Sequence, residues 1–280
     1  MTYVIHGATG AQGAPLISSL AAAGASAVAA VRKPEAYVGE AVSADFESEE
    51  SLIQAYRGAE GVFVHLPMGP PQVVASYART VVDAVRKAQP ARVVVSTSGQ
   101  VVEASEDSPI AILARGLRES GVSTAVIEPR LYLENLLQPA ILEAVRTEGV
   151  LRYPLRPEFA ASWSSHLDVA DAALRLLEDV SVTGTVGVGQ LPAITGGDLA
   201  AGFASHLGRE VRFEAVTPED FGAALIPLFG EEAAAVVTGF YTALGTVADY
   251  RIAEETSAQK YFGLAPRTVT QWLHDVLEGK

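Results

Sequence analysis

"GATGAQG", residues 7–13, places three glycines at positions 7, 10 and 13 directly behind the apolar run YVIH. A glycine-rich turn between a first strand and a following helix has a specific use. Without side chains, its backbone N–H groups and the helix N-terminus can approach a diphosphate. Both flanks fit, since residues 3–6 read as a strand and Pro15 falls in the first turn of a helical pattern. The spacing is Gly-x-x-Gly-x-x-Gly, a variant of the Gly-x-Gly-x-x-Gly dinucleotide fingerprint. Gly7, Thr9, Gly10, Ala11, Gln12 and Gly13 are therefore the expected cofactor-binding positions of the turn.

Working outward, short β-branched runs at 3–7, 27–31, 60–66, 91–98 and 123–129 alternate with helical patterns at 15–24, 51–59, 74–89 and 110–121. That alternation predicts βαβ units and a parallel sheet covered on both faces. A helix over 168–180 and a strand over 185–189 complete it. Beyond about residue 190 the pattern becomes helical at 197–208, 231–247 and 268–277, with one strand at 210–216; Thr217, Pro218, Glu219 and Asp220 read as the start of another helix. The expected fold class is α/β: a Rossmann-type doubly wound parallel sheet with a smaller, mainly helical C-terminal lobe. The expected division is a dinucleotide-binding core over 1–190, with 130–165 contributing to the substrate cleft, and a substrate lobe over 191–280.

In such a fold the end of the second strand lies beside the adenosine ribose, where an acidic residue would bind the 2′-hydroxyl of NAD. This chain has Arg32 and Lys33 there instead. Two cations suit a 2′-phosphate, so the expected cofactor is NADP (NADPH). Asp45 and Phe46 follow the short third strand, where adenine should lie; Asp45 can accept from the adenine amino group or cap a helix. Leu66 and Pro67 open the stiff loop LPMGPP after the fourth strand. Ser96 and Thr97 after the fifth, and Pro129 after the sixth, approach the nicotinamide end.

Bulk composition narrows the function classes. Of 280 residues, 49% are hydrophobic, ample for a buried core. The formal charge is 20 minus 33, or −13, which argues against a nucleic-acid partner because phosphate neutralisation needs clustered Lys and Arg. The chain contains no cysteine, which excludes disulfides, thiolate nucleophiles and cysteine metal sites. The strand pattern at the start leaves no room for a secretory signal, and the Ala-rich stretch at 20–31 is too short for a bilayer, so a cytoplasmic protein without membrane contact is expected. His206 and His274 sit on helical patterns without ligand partners, and no metal is expected. Homodimerisation is an expectation only from the frequency of two-fold pairs among soluble proteins.

GATGAQG, VRKP after the second strand, ADFES after the third, LRESGVSTAVIEPRLYLENLL (117–137), HLDVADAA (166–173) and HLGREVRFEAVTPEDF (206–221) occur in one order over nearly the whole chain. Together they resemble the NmrA-like group of atypical short-chain dehydrogenase/reductases. The resemblance implies a Rossmann core with a smaller C-terminal lobe and a cleft between them. It also implies a small-molecule substrate: members include NADPH-dependent quinone reductases and phenylpropanoid reductases, beside regulators that bind the dinucleotide without reducing anything.

Short-chain reductases usually protonate the developing alkoxide with a Tyr aided by a Lys four positions on. None of the nine tyrosines here has that lysine, and the chain holds only Lys33, Lys87, Lys260 and Lys280. Ile110 stands where the phenylpropanoid reductases would place their lysine. The residues left as catalytic candidates are Ser98, Tyr132 and His65; Ser96 or Ser98 can bond a substrate carbonyl or cap a turn. Tyr132, Tyr153, Trp163 and His166 are the expected substrate contacts, the last three from the aromatic, Pro-rich segment 152–168. Asp168 reads as the N-cap of the next helix, and Asn135 matches an asparagine of the family. The resulting expectation is an NADPH-dependent reductase of a quinone or similar planar acceptor, with a non-catalytic NADP(H)-sensing regulator as the alternative.

Overall fold

The computed structural model describes residues 2–278. Its strands are β1 (Thr2–His6), β2 (Ser26–Val31), β3 (Ala41–Ser43), β4 (Gly61–His65), β5 (Arg92–Ser96), β6 (Ser123–Pro129), β7 (Leu131–Tyr132), β8 (Val150–Tyr153), β9 (Trp163–Ser164), β10 (Gly184–Val188) and β11 (Arg212–Ala215). The helices are α1 (Gly13–Ala22), α2 (Glu49–Tyr56), α3 (Pro71–Ala88), α4 (Pro109–Arg118), α5 (Pro139–Glu148), α6 (His166–Glu178), α7 (Gly196–Leu207), α8 (Pro218–Phe229), α9 (Glu231–Leu244), α10 (Ala258–Phe262) and α11 (Val269–Leu277).

Seven strands form one parallel sheet in the order β10-β6-β5-β4-β1-β2-β3. This is the expected Rossmann arrangement, and the strand order reverses between β1 and β4. Its strands are Val- and Ile-rich because both faces are covered. Val4, Val62, Val64, Val93 and Val95 face the buried sides of α2, α3 and α4, among them Leu52, Tyr56, Val81, Val85 and Leu113. On the other face α1 and α6 pack together and against the strands. Arg92 is wholly buried beside the end of α6. Its guanidinium donates to the carbonyls of Leu176 at 2.9 Å and Val182 at 2.5 Å and to Ser123 Oγ at 2.7 Å, satisfying groups that a helix end leaves open.

The chain groups into two compact units, where the sequence reading cuts once at residue 190. The first comprises 1–129, 166–188 and 253–264 and contains the large sheet; the second comprises 130–165, 189–252 and 265–280. The second unit pairs β8 with β11 and β7 with β9, both parallel, and packs α5, α7, α8, α9 and α11 around its own apolar core. Thr217 caps α8 ahead of Pro218, as expected, and Thr195 and Thr268 form capping boxes with Asp198 and Gln271. Helix α5 has no counterpart in the sequence reading.

Candidate functional site: the turn after the first strand

The carboxyl ends of β1 and β4 lie where the strand order reverses, the position at which open α/β sheets bind ligands. The turn leaving β1 lies there. Gly7 has φ +64°, and the Gly10 N–H donates to the Gly7 carbonyl at 2.7 Å. Gly13 begins α1 so close to the strand that a β-carbon there would sit 2.4 Å from the Gly7 oxygen. Gln12, the residue before α1, makes no side-chain capping bond, and the first turn of α1 holds no acidic residue. The positive end of that helix is thus left for an outside anion.

On the β2 side, Arg32 and Lys33 are exposed immediately beyond the strand. Neither side chain has an ion pair or hydrogen bond among the described residues; the Lys33 backbone carbonyl accepts from the Ala36 N–H at 3.1 Å. In so acidic a chain, other cations do find partners: Lys87 pairs with Glu49 at 2.5 Å, and Arg152 with Glu148 at 2.6 Å and Glu214 at 2.9 Å. Asp45 is tied into its own turn, Oδ1 accepting from the Glu47 N–H at 3.0 Å, while Ser48 caps α2. Of its two readings, then, helix capping falls to Ser48. Phe46 is half-buried, with its ring 4.9 Å from His6 and 5.8 Å from Tyr77, which it stacks upon; the Tyr77 hydroxyl donates to Glu47 at 2.9 Å. Tyr77, from α3, is absent from the sequence reading, since nothing local distinguishes it from other half-buried helix residues.

The opposite side is formed by the ends of β4, β5 and β6. His65 is the last residue of β4, paired in register with Ser96. Leu66 is buried and Pro67 half-buried behind it, Ser96 and Thr97 are buried, and Pro129 closes β6. Ser98 adopts φ +55° and accepts from Gln12 Nε2 at 3.0 Å. His6 is wholly buried against the Tyr56 hydroxyl at 2.7 Å. Burial, helped by the nearby His65, brings its pKa from 6.5 to about 3. Burial also lowers that of His65, partly opposed by a hydrogen bond to the Leu66 backbone. Both imidazoles are neutral at neutral pH.

The expected substrate contacts separate. His166 is half-buried at the start of α6 and close enough to His65 to influence its titration. Tyr132 is half-buried on β7, paired with Ser164. Tyr153 and Trp163 correct the expectation: both are wholly buried core side chains of the second unit, their rings 5.5 Å apart, and as placed they present no surface to a ligand. The Tyr153 and Tyr241 hydroxyls share a hydrogen bond, and Asn135 bonds to both. Burial and the Tyr241 hydroxyl hold the Tyr153 phenol well above its usual range. Asp168 is not the N-cap of α6, because the helix already begins at His166. Among the described residues no cluster of three or more His, Cys, Asp or Glu side chains is arranged to hold a metal, and no helix is long and apolar enough to cross a membrane.

Comparison with known proteins bears on this geometry. The sequence model of the NmrA-like family matches residues 1–273. An NAD(P)H azoreductase of Xenophilus azovorans is 30% identical over an alignment of 188 residues that covers 62% of this chain and 61% of that protein. The aligned part thus spans about three fifths of the relative. Among solved structures, the Citrobacter sp. triphenylmethane reductase complexed with NADP(H) superposes with a TM-score of 0.81 at 18% identity, covering 97% of this chain and 98% of the other. The NADPH-dependent quinone oxidoreductase of Escherichia coli complexed with NADPH does so with a TM-score of 0.75 at 22% identity, covering 98% and 99%. At these identities the structural likeness establishes the fold.

Proposed function

The chain belongs to the NmrA-like family, and from that premise we propose that it is an NADPH-dependent reductase of quinones or similarly activated planar acceptors. The observation that carries this reading is the unpaired couple Arg32 and Lys33, standing beyond β2 on the flank of a glycine turn that a β-carbon at Gly13 would fill. Gly7, Thr9, Gly10, Ala11, Gln12 and Gly13 hold the diphosphate through backbone N–H groups and the uncapped end of α1. Arg32 and Lys33 take the 2′-phosphate by charge-assisted hydrogen bonds. Phe46 offers its ring edge to the adenine, with Asp45 beside it, and Leu66, Pro67, Ser96, Thr97 and Pro129 border the nicotinamide half. The bound dinucleotide supplies hydride.

The absence of a Tyr/Lys pair selects the acceptor class. A positioned general acid contributes ~10²–10⁴-fold, which matters for a ketone whose alkoxide product is strongly basic. A reduced quinone leaves a phenolate-like anion with a pKa of roughly 10, comparable to that of tyrosine, which water can protonate. Positioning alone can supply about 7–11 kcal/mol. The residues of the first unit offered to that task are Ser98, His65 and His166, as hydrogen-bonding or wall groups. The similar proteins are named as an azoreductase, a triphenylmethane reductase and a quinone oxidoreductase, whose acceptors share extended conjugation that takes up added electrons.

The test is NADPH oxidation followed across a panel of quinones, azo dyes and simple ketones. Turnover with quinones and not with ketones is expected; turnover confined to ketones would overturn the acceptor class. The second reading, an NADP(H)-sensing regulator, is favoured by the missing Tyr/Lys pair and by the burial of Tyr153. Tight NADPH binding without acceptor-dependent turnover would establish it.

A further inference from the structure

Gln12 is only 7% exposed, and its Nε2 donates to Ser98 Oγ across 86 positions of sequence. Ser98 follows β5, so this side chain runs from the glycine turn toward the β4 and β5 half of the sheet, away from β2 and its two cations. The contact also shapes Ser98. That residue holds a left-handed φ of +55°, its N–H donates to Ser96 Oγ at 3.3 Å, and its Oγ accepts from Gln12. The Ser98 hydroxyl proton is thereby left to donate elsewhere.

Three buried polar atoms on this same half have no hydrogen-bond partner: Gln12 Oε1, Thr97 Oγ1 and His65 Nε2. Folded proteins leave few such atoms, because water is lost without replacement. Here they belong to the turn after β1, the end of β4 and the residue after β5, at the carboxyl ends of three neighbouring strands in the middle of the sheet. Gln12 Oε1 is an acceptor and Thr97 Oγ1 can accept or donate, while His65 Nε2 lies against Gly7, 2.2 Å from where a β-carbon there would sit. A ligand rich in hydroxyl and amide donors meets that demand, and the nicotinamide-ribose half of a dinucleotide carries both.

We propose that Gln12 is a positioning residue joining the two halves of the site: Oε1 accepts from the nicotinamide-ribose half of the cofactor, and Nε2 aims the Ser98 hydroxyl at the acceptor. This rests on the dinucleotide reading above. Its test compares NADPH with 2′,5′-ADP, which keeps the adenine and the 2′-phosphate but lacks nicotinamide. Gln12→Met preserves the length of the side chain and removes both hydrogen-bonding ends. Gln12→Asn keeps the amide but falls one methylene short, and serves where the first variant does not fold.

For either variant the NADPH Kd should rise about three- to tenfold, as expected for one net hydrogen bond, with that of 2′,5′-ADP unchanged. Ser98→Ala should lower quinone turnover, and the Gln12→Met/Ser98→Ala double variant should lose no more turnover than the worse single variant. Equal weakening of both ligands, no weakening of either, or additive losses in turnover would overturn the proposal. Failure of the unmodified protein to bind either ligand would instead overturn the dinucleotide reading itself.

Discussion

The imidazole of His65 covers Gly7: a β-carbon at Gly7 would lie 2.2 Å from His65 Nε2 and 3.0 Å from Cε1. The φ of +64° at Gly7 adds a conformation that other residues adopt only with strain. Gly7→Ala must therefore displace the end of β4 or reshape the turn. It should lower stability by about 1–3 kcal/mol and weaken NADPH binding by at least about tenfold. Gly24→Ala is the matched control, since Gly24 has φ +75° but nothing within 4 Å of its added carbon. It should cost about 1–2 kcal/mol from the backbone alone and leave binding intact. Denaturant unfolding and NADPH titration of the two variants check the contrast; equal effects on binding would contradict it.

Arg32 is expected to discriminate between the two dinucleotides. Arg32→Asp removes a charge-assisted bond and adds repulsion, so the NADPH Kd should rise about ten- to hundredfold while the NADH Kd holds or improves. Because both side chains are exposed, the NADPH preference should also shrink with added salt. Unchanged NADPH affinity in the variant would remove Arg32 from the 2′-phosphate site.

Buried His6 makes the fold sensitive to acid. Its folded pKa, brought from 6.5 to about 3, lies below the unfolded value, so the unfolded chain binds the extra proton between those limits. Its contribution is complete above pH 6.5 and is lost at about 1.4 kcal/mol per pH unit as pH falls toward 3. His6→Phe keeps a ring against Phe46 and cannot titrate. Unfolding free energies at neutral and mildly acid pH should show a steeper acid loss in the unmodified protein than in the variant; parallel slopes would contradict the assignment.

Arg92 is a structural staple. Arg92→Met leaves the Leu176 and Val182 carbonyls and the Ser123 hydroxyl without their donor and should cost about 2–4 kcal/mol. Since Arg92 lies at the start of β5 and the site at the strand ends, NADPH affinity of the folded variant should be unchanged. A stability loss below about 1 kcal/mol in chemical denaturation would show that the buried bonds are replaced by solvent.

The sheet was legible because its signals are local. Each buried strand is a compact β-branched run, and the helices between them carry apolar faces at helical spacing, so the strands and the helices flanking them stand close to where residues alone put them. The cations beyond β2 were legible for the same reason: a strand end is a place, and charge there has a meaning. Tyr153 and Trp163 were misread because an aromatic in an irregular, Pro-rich segment reads the same whether it lines a cleft or fills a core. What decides is β8 pairing with β11, and Val150 meets Arg212 there across sixty-one residues of intervening chain. Gln12 and Ser98 each stand out by their place in the sequence, but the bond between them does not, as no local pattern announces a bond that joins two loops. Asp168 was displaced from the cap because α6 starts two residues earlier, at His166, directly behind Ser165, whose type also favours a helix start and competes with Asp168 in the sequence.

The central claim is that the bare turn after β1 and the cations after β2 grip an NADP diphosphate and its extra phosphoryl group. Calorimetric titration of the purified protein with NADPH and with NADH tests it most directly. Saturable binding of NADPH, tighter than that of NADH by about tenfold or more, is the result expected of a charge-assisted contact to the 2′-phosphate. No measurable uptake of either dinucleotide would contradict it.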